Sequence, residues 1–172
     1  KAEYDHAHIH GAINMPLFND EERAIIGTMY KKIGKQEAVV KGLEFVGPKM
    51  VEFAKTAIKL AKDNKIAVHC WRGGMRSSSM AWLFEKVGIE PIVLEGGYKA
   101  YRAFIRTEFE QEMDMRVLGG YTGSGKTIIL NEMKNLGAQV IDLEQIAHHK
   151  GSAFGAINEP TQPSTEHFEN LL

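Results

Sequence analysis

Apolar positions along this chain repeat with two periods, and the change of period marks out its elements. Met50, Phe53, Ala54, Ala57, Ile58 and Ala61 fall on one face of a helix, with lysines opposite. Ile66-Ala67-Val68 is a short apolar run and reads as a buried strand. Met80, Leu83, Phe84 and Val87 return to helical spacing, so 77–87 reads as a helix with its serines as cap candidates. Gly88 ends it, and 91–94 reads as a second buried strand. Strand, helix, strand in this order predicts a parallel sheet with helices on its faces.

The flanking segments follow the same reading. Ala12 to Asn14 predicts a short edge strand stopped by Pro16. Asn19 or Asp20 caps a helix reaching Lys32, with Glu21 and Glu22 in its first turn and Gly34 at its end. A further helix is expected over 35–45, before Gly47-Pro48 breaks the chain. Glu95-Gly96-Gly97-Tyr98 is a tight turn that opens a helix running to about Glu112. Met115 to Leu118 and Gln139 to Asp142 read as strands on either side of a helix that ends near Leu136. Asp114 marks a boundary, giving domains 1–113 and 114–172. Two strands are too few for the second domain's sheet, so the rest of it is expected beyond Leu172. Lys1 in first place and a helix interrupted at 168–172 point the same way.

Composition changes this picture little. The 172 residues are 44% hydrophobic and 25% charged, with a formal net charge of −1, so there is no overall polybasic signature. No apolar run approaches the roughly 18 residues that span a bilayer, and no membrane partner is expected. A single cysteine cannot form an internal disulfide, which favours a reducing, cytoplasmic setting.

That cysteine sits where chemistry is expected. Val68-His69-Cys70-Trp71-Arg72-Gly73-Gly74-Met75-Arg76-Ser77 joins the first strand to its helix. Gly73 and Gly74 let successive N–H groups turn inward and cradle an anion. The helix N-terminus adds partial positive charge. Both favour thiolate over thiol at Cys70, and the thiolate is the nucleophile. Arg72 and Arg76 supply charge and a fork for an oxyanion. Trp71 either stacks on a nucleobase or packs within the loop.

The second chemical signal is Gly120-Tyr121-Thr122-Gly123-Ser124-Gly125-Lys126-Thr127, which reads G-x-x-x-x-G-K-T between a predicted strand and a helix. Gly120, Gly123, Ser124 and Gly125 wrap a di- or triphosphate, Lys126 reaches the terminal phosphates, and Thr127 can ligate magnesium. Asp142 either stands next to that magnesium through water or caps the helix that follows. Two weaker patterns remain. His6, His8 and His10 share one face if their segment is extended, which allows a metal site. Lys99, Arg102 and Arg106 share a helix face, either as solvated surface or as a contact for RNA phosphates.

These motifs carry a family resemblance. His8 to Pro16 is similar to the G-H-I-P-G-A-I-N-x-P segment of rhodanese domains, with His10 in place of proline, and Glu95 to Tyr98 resembles their L-E-G-G-Y turn. A rhodanese-like domain joined to a P-loop, with C-x-R-G-G-x-R-S in the first, resembles the tRNA 2-selenouridine synthase family. Asn19 to Lys31 and Asp142 to Gly155 resemble that family as well. The resemblance implies an α/β fold: a rhodanese-like parallel sheet with helices on both faces, followed by the start of a P-loop α/β domain. It also implies a transferase acting on tRNA, which geranylates 2-thiouridine from geranyl diphosphate and then replaces the S-geranyl group with selenium from selenophosphate. Cys70 then corresponds to the rhodanese cysteine. No tightly bound cofactor is implied, and magnesium is possible. Two other readings stay open. H-C-x5-R-S also fits cysteine-dependent phosphatases, and a thiosulfate sulfurtransferase joined to a nucleotide-binding domain fits the same parts.

Overall fold

A computed structural model describes residues 2–121 and 123–172, so Lys1 and Thr122 of the phosphate loop lie outside the described residues. The chain divides into two compact units, Lys1–Phe104 and Ile105–Leu172.

The first unit opens with helix α1, Ala2–His6, and an irregular segment to Asn19. The edge strand expected at Ala12 to Asn14 does not form. Gly11 takes φ +75° and Ala12 N–H donates to Ile9 O at 2.9 Å, so the chain turns there. Helix α2, Asp20–Lys32, starts on a capping box: Asn19 Oδ1 accepts from Glu22 N–H at 2.8 Å and Glu22 Oε2 accepts from Asn19 N–H at 2.9 Å. Lys49 Nζ holds the same Glu22 carboxylate at 2.6 Å. Gly34 serves as N-cap of α3, Lys35–Val46, as well as ending α2. Gly47-Pro48 ends α3 as expected, with Gly47 as its C-cap. It forms a 3-10 turn, Gly47–Lys49, that feeds α4, Met50–Leu60, because proline is tolerated at the first position of a helical turn.

Strand β1, Lys65–Val68, pairs in parallel with β2, Glu90–Val93, with Lys65 opposite Glu90 and Val68 opposite Val93. Helix α5, Met75–Lys86, joins them. It begins two residues before Ser77, and Gly74 is its N-cap, so the serines lie inside the helix and do not cap it. The core is built by Phe53 and Ala57 of α4, Met80 and Phe84 of α5, and Ile89, with Ile66 and Val68 packed against it. The strands are less buried than the apolar runs predict. Ile92 is 55% exposed, and β1 is half-buried only at Ile66 and Val68. Among the described residues the sheet has two strands, and so little sheet leaves much of each strand uncovered. Helix α6, Gly97–Glu108, ends before the expected Glu112.

The second unit holds α7, Lys126–Asn135, α8, Leu143–Ala147, and α9, Thr165–Leu171. Met115 to Leu118 and Gln139 to Asp142 form no strands, so no strand precedes the phosphate loop. A strand needs a neighbouring ladder to satisfy its N–H and C=O groups, and among the described residues neither segment has one. No described helix is long and apolar enough to cross a membrane.

Candidate active site

Cys70 lies just past β1, and its position is fixed from two sides. Gly74 N–H donates to Cys70 Sγ at 3.3 Å, and the Ser77 hydroxyl lies 3.3 Å from the same sulfur. Ser77 is 1% exposed, and its hydroxyl also donates to Gly74 O at 3.0 Å. From the other side, Tyr98 N–H donates to Cys70 O at 2.9 Å and Lys99 N–H to Trp71 O at 3.1 Å. The first turn of α6 thus gives its free N–H groups to the cysteine loop.

That docking explains the glycines. A Cβ on Gly73, at φ +63°, would stand 2.7 Å from Gly96 N and 2.8 Å from Gly97 N. A Cβ on Gly97, at φ +62°, would collide with Cys70 O and Gly73 N. The Cys70 loop and the Glu95-Gly96-Gly97-Tyr98 turn pack backbone against backbone, and no side chain fits between them. Gly74 differs. A Cβ there would meet nothing within 4 Å, and its part is played by its N–H on the sulfur and its carbonyl as acceptor in the first turn of α5.

The electrostatics follow from this geometry. Burial pushes the Cys70 thiol up. The Ser77 hydroxyl and the backbone N–H groups of Arg72, Gly74 and Ser77 push harder the other way, so the thiol lies below its ordinary value. Burial also pushes the His69 imidazole down; a hydrogen bond with the Cys70 backbone pulls the other way, and nearby His8 adds to the lowering, so the ring lies below its ordinary value.

The two arginines are placed differently. Arg72 is exposed, while Arg76 is half-buried and donates from Nη1 to Glu3 Oε2 at 2.8 Å. Glu3 also faces Arg23 at 3.6 Å. Two functional partners were missed by sequence reasoning. Ser77 closes the C-x-R-G-G-x-R-S pattern but was read only as a cap candidate, and Glu3 lies 73 residues from Arg76.

The phosphate loop is bent as its glycines predict. Gly120, Gly123 and Gly125 have φ of +155°, +79° and +81°, and Gly125 caps α7. Lys126 Nζ donates to Gly120 O and Tyr121 O, both at 3.0 Å, while Ser124 N–H donates to Tyr121 O at 3.2 Å. Thr127 is exposed in the first turn of α7. Asp142 is the N-cap of α8, with its Oδ1 accepting from Gln145 N–H at 3.0 Å.

The weaker patterns dissolve. His6 ends α1, so the histidine segment is not extended; the His8 ring stacks on Tyr4 at 3.9 Å, and His10 is exposed. Among the described residues no group of three or more His, Cys, Asp or Glu could hold a metal. Arg102 is only 7% exposed, so Lys99, Arg102 and Arg106 do not form one solvated stripe.

Comparison with known proteins bears on both units. Residues 1–104 match the Rhodanese-like domain family. The chain belongs to that family. Residues 113–172, beyond the rhodanese-like part, match the tRNA 2-selenouridine synthase AAA domain. The chain is similar to the tRNA 2-selenouridine synthase of Sulfurovum sp. (strain NBC37-1), 42% identical over 167 residues, which is 94% of this chain and 44% of that protein. It is similar to the one from Serratia proteamaculans (strain 568), 40% identical over 166 residues, 94% of this chain and 43% of the relative. The one from Bdellovibrio bacteriovorus is 41% identical over 176 residues, 99% of this chain and 45% of the relative. The chain thus spans less than half the length of these curated relatives. A crystal structure of an N-terminal domain from Clostridium difficile 630 is 45% identical, with a TM-score of 0.58, over 61% of this chain and 82% of that one. The rhodanese-like unit and the P-loop unit therefore stand in an order shared with the tRNA 2-selenouridine synthases.

Proposed function

We propose that this chain is part of an enzyme that exchanges the sulfur of 2-thiouridine for selenium at the wobble position of tRNA. The observation that carries the reading is the order of its two matches, a rhodanese-like domain followed by the AAA domain of that synthase. In the first step the thiouridine sulfur displaces diphosphate from geranyl diphosphate and becomes an S-geranyl thioether. In the second, selenium from selenophosphate bonds to C2, geranylthiolate leaves, and the phosphoryl group passes to water.

The phosphate loop suits the first step. It recognises phosphates and not the group attached to them, so Gly120, Gly123, Ser124, Gly125 and Lys126 serve a prenyl diphosphate as well as a nucleotide. Thr127 offers the hydroxyl oxygen that magnesium accepts, and the ion would supply charge neutralisation for the leaving diphosphate. Asp142, whose Oδ1 caps α8, would offer its other carboxylate oxygen to that water shell.

The Cys70 loop suits the second step. Gly73 and Gly74, the thiolate at Cys70 and the cations of Arg72 and Arg76 form a cradle for selenophosphate or for selenium carried on sulfur. The reading includes tRNA and small phosphate and diphosphate donors as substrates, no tightly bound cofactor, and a cytoplasmic site of action.

Nucleoside mass spectrometry of tRNA from cells lacking the gene tests the reading. Selenouridine is expected to vanish, return with the wild-type gene and stay absent with Cys70→Ala. An unchanged nucleoside profile overturns it. The five residues between Cys70 and Arg76 also suit a cysteine-dependent phosphatase, and turnover of a phosphate monoester by the purified protein would favour that second reading.

A further inference from the structure

We propose that Trp71 is the stacking platform for the uridine base, setting the C2 position of the base beside Cys70. The inference rests on the function proposed above and assigns it a binding subsite.

Trp71 follows the nucleophile directly, and its backbone is pinned by the 3.1 Å hydrogen bond from Lys99 N–H. Its indole is backed by Tyr98, with ring centroids 5.1 Å apart and planes tilted 31°. Tyr98 is 3% exposed and itself rests on Tyr101 at 6.1 Å. A row of three rings therefore stiffens the indole from behind. Trp71 nevertheless takes no part in the hydrophobic core formed by Phe53, Ala57, Met80, Phe84 and Ile89. It stays half-buried and lines a cleft of about 740 Å³ together with Cys70, Arg76, Tyr4 and His8.

A rigid aromatic next to the Cys70 sulfur gives what base recognition needs. Stacking is tolerant of approach angle, and a platform held in place beforehand loses little freedom when the base arrives. A prenyl chain is the competing occupant, and it differs in one respect: it needs apolar volume but no π face.

The full-length polypeptide tests this with Trp71→Leu, which keeps apolar volume, and Trp71→Phe, which keeps a π face. Trp71→Leu is expected to raise the KM for S-geranylated tRNA in the selenation step about tenfold or more with kcat within roughly threefold, and Trp71→Phe to stay close to wild type. A second measurement needs no activity. An anticodon stem-loop carrying S-geranyl-2-thiouridine should quench tryptophan emission in the wild type, and the quench should disappear in Trp71→Phe. Leu equal to Phe in KM, a loss confined to kcat, or a quench unaltered in Trp71→Phe each overturns the platform. Wild-type protein that quenches with the stem-loop but never forms selenouridine would instead sink the function proposed above and leave the platform standing.

Discussion

A thiol at a strand end, half shielded from water, should be a poor acid, because burial disfavours the charged form. Cys70 is the reverse because four donors converge on one sulfur. Of these, the hydroxyl of Ser77 is the one that a side-chain change can remove. Its proton serves two acceptors, Gly74 O at 3.0 Å and Cys70 Sγ at 3.3 Å, so it can turn to the sulfur as the thiol ionises. Ser77→Ala should move the midpoint of the pH profile for iodoacetamide alkylation upward and slow the reaction at neutral pH roughly three- to tenfold. An unmoved midpoint would place the whole effect on the backbone donors. Glu3 acts on the other side of the loop. It holds Arg76 at 2.8 Å, which orients the guanidinium but occupies part of its fork. Glu3→Gln frees the whole Arg76 fork and should raise the affinity of the loop for inorganic phosphate without shifting that alkylation midpoint, as read by the protection phosphate gives Cys70 in the alkylation assay.

At the scale of elements, the loop depends on α6 as much as on α5. The Gly73 and Gly97 backbones touch, so adding one methyl group at either must push α6 off the cysteine loop. Gly97→Ala is expected to cost about 2–4 kcal/mol in denaturant unfolding, since it combines strained φ with a backbone collision. Gly74→Ala, with open space at its Cβ, should cost no more than about 1 kcal/mol, the size of a weakened N-cap. The sequence reads Gly73 and Gly74 alike, as one cradle, and only the approach of the distant Gly96-Gly97 turn tells them apart. Helix α2 gives a pH test of its own. The Lys49 ammonium, and after it the Asn19 N–H, hold the Glu22 carboxyl below its ordinary value of 4.5. A carboxylate whose folded pKa is depressed stabilises the fold above its unfolded pKa and loses that contribution as pH falls. Wild type should therefore lose stability between about pH 4.5 and its folded pKa, and Glu22→Gln should be less stable at neutral pH and flatter across that window.

For the whole molecule, what was legible in the sequence was local. The helix start at Asn19 or Asp20, the stripe of α4, the β1–α5–β2 order and both glycine-rich loops rest on residues near one another in the chain, and their signals survive without knowledge of the rest. What was not legible needed partners. Ala12 to Asn14, Met115 to Leu118 and Gln139 to Asp142 have strand composition, yet a strand exists only where another lies beside it. The Glu3–Arg76 pair and the contact between Gly73 and Gly97 are products of folding in the same sense.

The proposed function divides labour between the Cys70 loop and the phosphate loop, and that division can be read from products. If the phosphate loop holds the prenyl diphosphate, Lys126→Ala should stop geranylation and still convert tRNA that already carries S-geranyluridine. Cys70→Ala should do the reverse, with geranylated uridine accumulating and no selenouridine formed. The removal of Lys126 takes away a cation whose ammonium the loop holds at 3.0 Å from two of its own carbonyls, so the loop loses its charge without losing a buried side chain. Mass spectrometry of the nucleosides from each variant, given plain 2-thiouridine tRNA and pre-geranylated tRNA in turn, separates the outcomes. If Lys126→Ala fails on both substrates while Cys70→Ala fails on neither, selenium transfer belongs to the P-loop unit, and the thiolate of the rhodanese-like unit has another task.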